Sequence, residues 1–367
     1  MTRKNSFEHG GNIFKAARNK NTSSIDFIDF SANINPLGLA DNVRESIISS
    51  LDKIIHYPDP DAHDLKTAIS KYYNVDYASI TVGNGAVELL YVLCHLVKPK
   101  RVLIPAPSFS EYERAAKASK AEVEYYYLCE NTNFTIDVSK IIPIMDEFDI
   151  VFIGNPNNPT GTILPKKDLE LLIRSAQKSN CLVVVDESFI DFLPDDNQHT
   201  CRDLIKSYDN LVILHSLTKF YAIPGLRLGF TLTSTELAKL LDLGKDPWNA
   251  NTLAQSAGVA ALKNIDYRIK TKEIIGSAKQ QFYKDLCSIQ GLKVHFPSVN
   301  FILINIENTG LMSAELSQRM YERGFLIRDC ANYPGLSPFY IRLAVKLPVQ
   351  NSLIIESLKE SIVGDEE

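Results

Sequence analysis

The chain has 367 residues, 45% of them apolar and 23% charged, with a formal charge of −5, enough to bury a large core and to predict one large and one smaller domain. A net negative chain without a long basic run carries no electrostatic footprint for nucleic acid or an anionic membrane surface. Its six cysteines are scattered without CxxC spacing, which predicts reduced packing residues and implies neither a disulfide framework nor a metal site.

The start, Met1-Thr-Arg-Lys-Asn-Ser6, has no apolar leader, and no later segment offers about eighteen uninterrupted apolar residues, so a cytoplasmic protein is expected. Residues 1–40 read as a polar, irregular arm with two turn signals, His9-Gly-Gly-Asn12 and Asp29-Phe-Ser-Ala-Asn33-Ile-Asn-Pro-Leu-Gly38. Asp41 can cap a helix to about Ile55, because Val43, Ile47, Ile48 and Leu51 fall on one face, and Tyr57-Pro58 ends it.

From there to about 235, apolar runs alternate with helical patterns. Strands are expected at Arg101–Ile104, Glu124–Leu128, Ile150–Ile153, Leu182–Val185, Leu211–Leu214 and Gly229–Thr233. Strands apolar on both faces and separated by helices predict a mainly parallel sheet covered on two sides, with ligands beyond the carboxyl ends of its strands.

Four segments in this region carry chemistry. Gly83-Asn-Gly85-Ala86-Val87 is a glycine turn opening an apolar helix, whose free N–H groups suit a phosphate; read alone it is more often a plain loop-to-helix turn. Asn155-Pro-Asn-Asn158-Pro-Thr-Gly161 follows a buried strand, and its two Asn-Pro steps force a rigid turn that can present an amide at a fixed angle. Asp186 ends the run Val183-Val-Val and, if buried, needs a cationic partner; otherwise it is a helix cap. In Ser216-Leu-Thr-Lys219-Phe-Tyr-Ala-Ile-Pro-Gly-Leu-Arg227-Leu-Gly229, a lysine and an arginine share one turn, where a desolvated amine near another cation loses basicity and becomes a nucleophile.

After about 245 the texture changes to a helical stretch from Leu253 to Ile289, strands at Phe301–Ile306, Phe325–Arg328 and Tyr340–Val345, a helix from Ser313 to Arg323 and a final helix. This order predicts a smaller α+β domain.

A phosphate cradle, a rigid Asn, a buried Asp and a Lys–Arg pair, in that order, resemble the fold-type I pyridoxal-phosphate enzymes, the aspartate aminotransferase superfamily, over nearly the whole chain. The resemblance implies an α/β fold with an arm over 1–40 closing over the active site, a large cofactor-binding domain over 41–245 and a small domain over 246–367. It implies pyridoxal 5'-phosphate as cofactor, held covalently by the catalytic Lys219 and through its pyridine nitrogen by the catalytic Asp186. Asn158 would bind the ring hydroxyl and Phe109 would stack on the ring. Gly85, Ala86, Val87, Ser216 and Arg227 would hold the phosphate, with Tyr57 reaching it from the neighbouring subunit of a homodimer, and Arg342 would receive the substrate carboxylate. One departure is visible: many relatives have Tyr where Phe189 stands, and Phe189 cannot donate to the ring hydroxyl.

Within the superfamily the chain is similar to the histidinol-phosphate aminotransferase subgroup, and there to the threonine-phosphate decarboxylases of cobalamin biosynthesis. The two arm motifs, Phe220–Gly229, Pro247-Trp-Asn-Ala-Asn251, Cys330-Ala-Asn332-Tyr-Pro-Gly335 and Phe189 carry that narrower resemblance. It implies His9, Asn33, Asn158, Arg328, Asn332 and Arg342 as substrate residues and a small phosphorylated amino acid as substrate. Read without it, His9 is an exposed terminal side chain and Arg328 an ion pair with Asp329 or a nearby acid. The implied reaction is decarboxylation of L-threonine O-3-phosphate, with L-serine O-phosphate an open alternative substrate and transamination of histidinol phosphate with 2-oxoglutarate the second reading. A pyridoxal-phosphate-fold transcription regulator would need a DNA-binding domain larger than this arm.

Overall fold

The structure, a computed structural model, describes residues 9–363; residues 1–8 of the expected arm and 364–367 lie outside the described residues. The arm is less irregular than its polarity suggested. It forms a helix, Ile13–Lys20, capped by the Asn12 side chain on the Lys15 N–H, and a short strand β1 (Ile28–Asp29). Asp41, expected as a cap, is instead the first residue of the helix Asp41–Ser49, where its charge faces the positive end of the dipole. A 3₁₀ segment, Leu51–Ile55, follows.

The main sheet contains β2 (Ile80–Asn84), β3 (Arg101–Ala106), β4 (Glu122–Tyr127), β5 (Ile150–Gly154), β6 (Leu182–Asp186), β7 (Leu211–Ser216) and β8 (Leu228–Leu232), in the order β2-β8-β7-β6-β5-β3-β4. From β7 to β4 neighbouring strands are parallel, and β8 runs antiparallel to both β7 and β2. The reversal has a local cause: a parallel return needs a crossover of a dozen or more residues, usually helical, and the link at 217–227 holds only a turn. Strand residues alternate between two cores. Val183, Val185 and Ile213 face the larger one, and Val184, Val212 and Leu214 the smaller, which is why these runs are continuously apolar.

Helices cover the sheet through single apolar stripes, as in Lys166–Lys178, where Leu169, Leu172, Ile173 and Ala176 are buried at helical spacing. The predicted helical stretch 253–289 is two helices, Thr252–Lys263 and Ile265–Cys287, because the Asn264 side chain caps the second at the Tyr267 N–H. A second sheet holds β9 (Lys293–Val294), β10 (Phe301–Asn305), β12 (Arg328–Asp329) and β13 (Tyr340–Ala344) in the antiparallel order β12-β13-β10-β9. Strand β11 (Phe325–Leu326) pairs in parallel with β1 as a separate two-stranded sheet, and the Ala344 N–H of β13 donates to the Phe30 carbonyl at 2.8 Å, tying the arm to the four-stranded sheet. Among the described residues no helix is long and apolar enough to cross a membrane.

Candidate active site

The carboxyl ends of β2, β5, β6 and β7 deliver the four chemical segments to one cleft. Its walls include Gly85, Ala86, Val87, Phe109, Asn158, Asp186, Ser216, Lys219 and Arg227, together with Tyr112, Ser188, Phe189 and Thr218. Tyr57 is not among them. It is exposed and stacked on Trp248, with ring centroids 4.4 Å apart.

The Lys219 amine donates to Ser216 Oγ at 3.2 Å, and Ser216 Oγ in turn lies 2.8 Å from Thr218 Oγ1. Burial pushes the amine down to about 8; Asp186 opposes the shift, while the guanidinium charges of Arg227 and Arg342 add to it. This is the desolvated, cation-flanked lysine that covalent catalysis requires. Asp186 is fixed at both oxygens: Oδ1 accepts the Ser188 N–H at 2.9 Å, and Oδ2 accepts the Tyr112 hydroxyl at 2.7 Å. Burial, and then the negative charge of Asp186, push the Tyr112 hydroxyl well above its usual range, so it stays protonated and donates. Tyr112 is locked in turn against Phe152, with stacked rings 5.2 Å apart.

Gly85 sits at φ +81° immediately before the helix Ala86–Val97. A Cβ there would lie 2.5 Å from Nη2 of Arg227, so the guanidinium closes over the helix start. Gly229 has the complementary role, since any side chain on it would collide with the backbone N of Ala86 and hold β8 off. Helix N–H groups, a guanidinium and the Ser216 hydroxyl thus converge as an anion cradle.

Asn158 Oδ1 accepts from Arg342, leaving its Nδ2 as the remaining donor. Arg342 also donates to the Ser31 carbonyl at 2.9 Å and lies 5.3 Å over the Phe301 ring, while its Nε has no partner. Phe189 packs edge-on to Phe301 at 5.0 Å.

A second cleft of about 300 Å³ is lined by His9, Ser31, Arg328 and Asn332, among others. Arg328 is buried; it donates to Asn332 Oδ1 at 2.7 Å and lies 5.2 Å over the Tyr333 ring. Asp329, its expected ionic partner in the other reading, accepts from Ser313 Oγ at 2.6 Å. Arg328 and Arg342 are register partners on β12 and β13. Asn33 is buried with Oδ1 unpartnered and lines neither cleft. Sequence reasoning missed Tyr112 and Tyr333. Tyr112 follows Phe109 at an i,i+3 spacing, which is the one local sign that both face the cleft.

Residues 25–354 match the family described as Aminotransferase class I and II. A threonine-phosphate decarboxylase of Salmonella typhimurium strain LT2 is 36% identical over 358 residues, covering 97% of this chain and 97% of that one. The crystal structure of the histidinol-phosphate aminotransferase from Clostridium acetobutylicum is similar at a TM-score of 0.85 and 32% identity, covering 90% of this chain and 98% of that one. That of L-threonine-O-3-phosphate decarboxylase from Porphyromonas gingivalis is similar at a TM-score of 0.80 and 30% identity, with the same 90% and 98% coverage.

Proposed function

This chain belongs to the aminotransferase class I and II family and is a pyridoxal-phosphate-dependent enzyme of fold type I, as its motifs predicted, and we propose that its reaction is decarboxylation of L-threonine O-3-phosphate to (R)-1-aminopropan-2-yl phosphate and CO2, in cobalamin biosynthesis. One observation carries the reading. Arg328 and Arg342 stand directly opposite each other on neighbouring strands, both are buried, and their hydrogen bonds among the described residues go to uncharged groups: Asn332 for Arg328, and Asn158, Tyr333 and the Ser31 carbonyl for Arg342. Like charges placed opposite each other destabilise a sheet, and buried unpaired cations are costly. A small ligand carrying two anions relieves both. Facing residues of such a pair stand about 4.5–5.5 Å apart at Cα, which suits a substrate whose carboxylate and phosphate flank two carbons. Histidinol phosphate itself brings a phosphate and no carboxylate; in the aminotransferase reading only the co-substrate 2-oxoglutarate carries two anions.

The residues present fit the cofactor. The cradle at Gly85, Ala86, Val87, Ser216 and Arg227 would hold its phosphate, Phe109 would cover its ring, Asn158 Nδ2 would meet its hydroxyl and Asp186 its ring nitrogen. Bound there, the cofactor supplies an electron sink conjugated to the substrate amine. Arg342 grips the carboxylate and sets its angle, Arg328, Asn332 and His9 hold the phosphate, and Lys219 moves the proton at Cα after CO2 leaves. In this reading the active unit is a homodimer in which Tyr57 serves the neighbouring cleft. L-Serine O-phosphate lacks one methyl, and such a contact discriminates by only about 1–3 kcal/mol, so it is expected as a slower substrate yielding ethanolamine phosphate.

The test offers threonine phosphate, serine phosphate, and histidinol phosphate with 2-oxoglutarate in separate assays of CO2 and glutamate. Release of CO2 from the first two without glutamate from the third is the expected outcome. Glutamate without CO2 would establish the aminotransferase instead.

A further inference from the structure

Glu111 opens the helix Glu111–Ala118, and its side chain is only 6% exposed. A carboxylate in that position carries a desolvation cost that donor and cationic partners must offset. Three partners do so: Nε2–H of His9 donates to Oε1 at 2.7 Å, the Tyr91 hydroxyl donates to Oε2 at 3.2 Å, and the Arg114 guanidinium lies 3.5 Å from Oε1. Burial raises the carboxyl, but the hydrogen bond and charge of His9, followed by Arg114 and Tyr91, outweigh it and hold Glu111 below its ordinary value.

His9 is the partner that comes from the arm, 102 positions away in sequence. Its ring also approaches Phe109, at 5.7 Å between centroids. Two residues on, the Gly11 N–H donates to Ser31 Oγ at 2.7 Å, and the Ser31 carbonyl is the acceptor that orients Arg342. The described start of the arm is therefore pinned at Ser31 and again at Glu111, and between these points it borders the cleft of Arg328 and Asn332.

We propose that Glu111 is a positioning residue for substrate specificity: its carboxylate holds the His9 imidazole beside the Arg328–Asn332 cleft, so that a phosphate entering the cleft meets a third group already in place. With Nε2–H given to Glu111, Nδ1 is the ring atom left for the phosphate, a donor whenever the ring carries both protons. Pre-placing that donor removes the ordering cost that a free arm would meet on binding. The inference rests on the phosphate-binding role given to His9 above.

The experiment is a double-mutant cycle on the holoenzyme with Glu111→Gln, His9→Ala and the double variant. It reads KM and kcat for CO2 release from L-threonine O-3-phosphate, and also the rate of tryptic cleavage at Arg18 and Lys20 without substrate. Glu111→Gln keeps the side-chain shape and is expected to raise KM about tenfold with kcat within about twofold. In the His9→Ala background it should change KM by less than about twofold, because the two residues act as one unit. Tryptic cleavage of the arm should accelerate in every variant. The same KM loss in both backgrounds, or unchanged cleavage, would overturn the proposal, since Glu111 would then act through Phe109 or the packing of its own helix. If no variant and no wild-type protein releases CO2, the reaction assignment has failed, and the cleavage rates still decide whether Glu111 holds the arm.

Discussion

The surroundings of Lys219 lower the basicity of its amine. An ordinary lysine titrates near 10.5, and burial with Arg227 and Arg342 nearby brings this amine to about 8. Only the neutral amine attacks a carbonyl, and a lowered value means that the neutral fraction grows at lower pH. The rate at which the apoprotein takes up pyridoxal phosphate covalently should therefore rise with pH and level off above about 8, followed by stopped-flow absorbance; a rate still climbing through about pH 10, as an ordinary lysine would give, would contradict it. Lys219, Asp186 and Asn158 were legible in the sequence because each sits in a short segment whose turn residues and apolar flank announce a strand end. Tyr112 was not, because its role is a contact made across 74 positions, with the carboxylate of Asp186. The turn from Phe109 into the helix, closed by the Tyr112 N–H on the Phe109 carbonyl at 3.2 Å, brings both to the cleft without the sequence saying what Tyr112 would meet.

At the scale of elements, the link between β7 and β8 does most to build the site. It carries Lys219 and Arg227, and because it is too short for a crossover it turns β8 back along β7, bringing Gly229 against Ala86. The strands of β3 to β7 were legible as apolar runs. The direction of β8 was not, since periodicity reports which residues are buried and says nothing of strand polarity. Strand β2 was missed because Ile80-Thr-Val-Gly-Asn84 ends in turn residues that read as the glycine loop itself. The break at Asn264 was missed because a lone Asn costs only about 0.7 kcal/mol or less inside a helix, so a single one between two helical patterns does not by itself announce a cap. The cradle makes its own prediction. Gly85→Ala places a Cβ at φ +81° against the far end of a flexible arginine, so the chain should still fold. The strain of about 1–3 kcal/mol for a side chain in that essentially glycine-only region, together with displacement of Arg227, should weaken cofactor binding tenfold or more by equilibrium dialysis. Unchanged affinity would separate Arg227 from the phosphate.

The whole molecule exposes apolar surface that a lone chain has little reason to keep. Ile48, Leu51, Ile54 and Ile55 project from the helix Asp41–Ser49 and the turn after it, and Tyr57 follows, stacked on Trp248. Ile55 is 80% exposed and Tyr57 77%. Contiguous apolar patches of this kind mark interaction surfaces. A second copy of the chain is the proposed occupant, because the same segment ends in the aromatic hydroxyl assigned to a neighbouring cofactor phosphate. Wild-type protein should therefore sediment as a dimer. Ile55→Glu would place a buried, unpaired carboxylate twice in a two-fold interface, at several kcal/mol per copy, and should shift the protein towards monomer at about 10 µM. Cofactor affinity should fall with it, because the partner's Tyr57 would be withdrawn from each cradle, and it should recover as protein concentration is raised. A monomeric wild-type protein with full activity would remove both the interface and the role given to Tyr57. A dimer undisturbed by the glutamate would place the interface elsewhere on the surface.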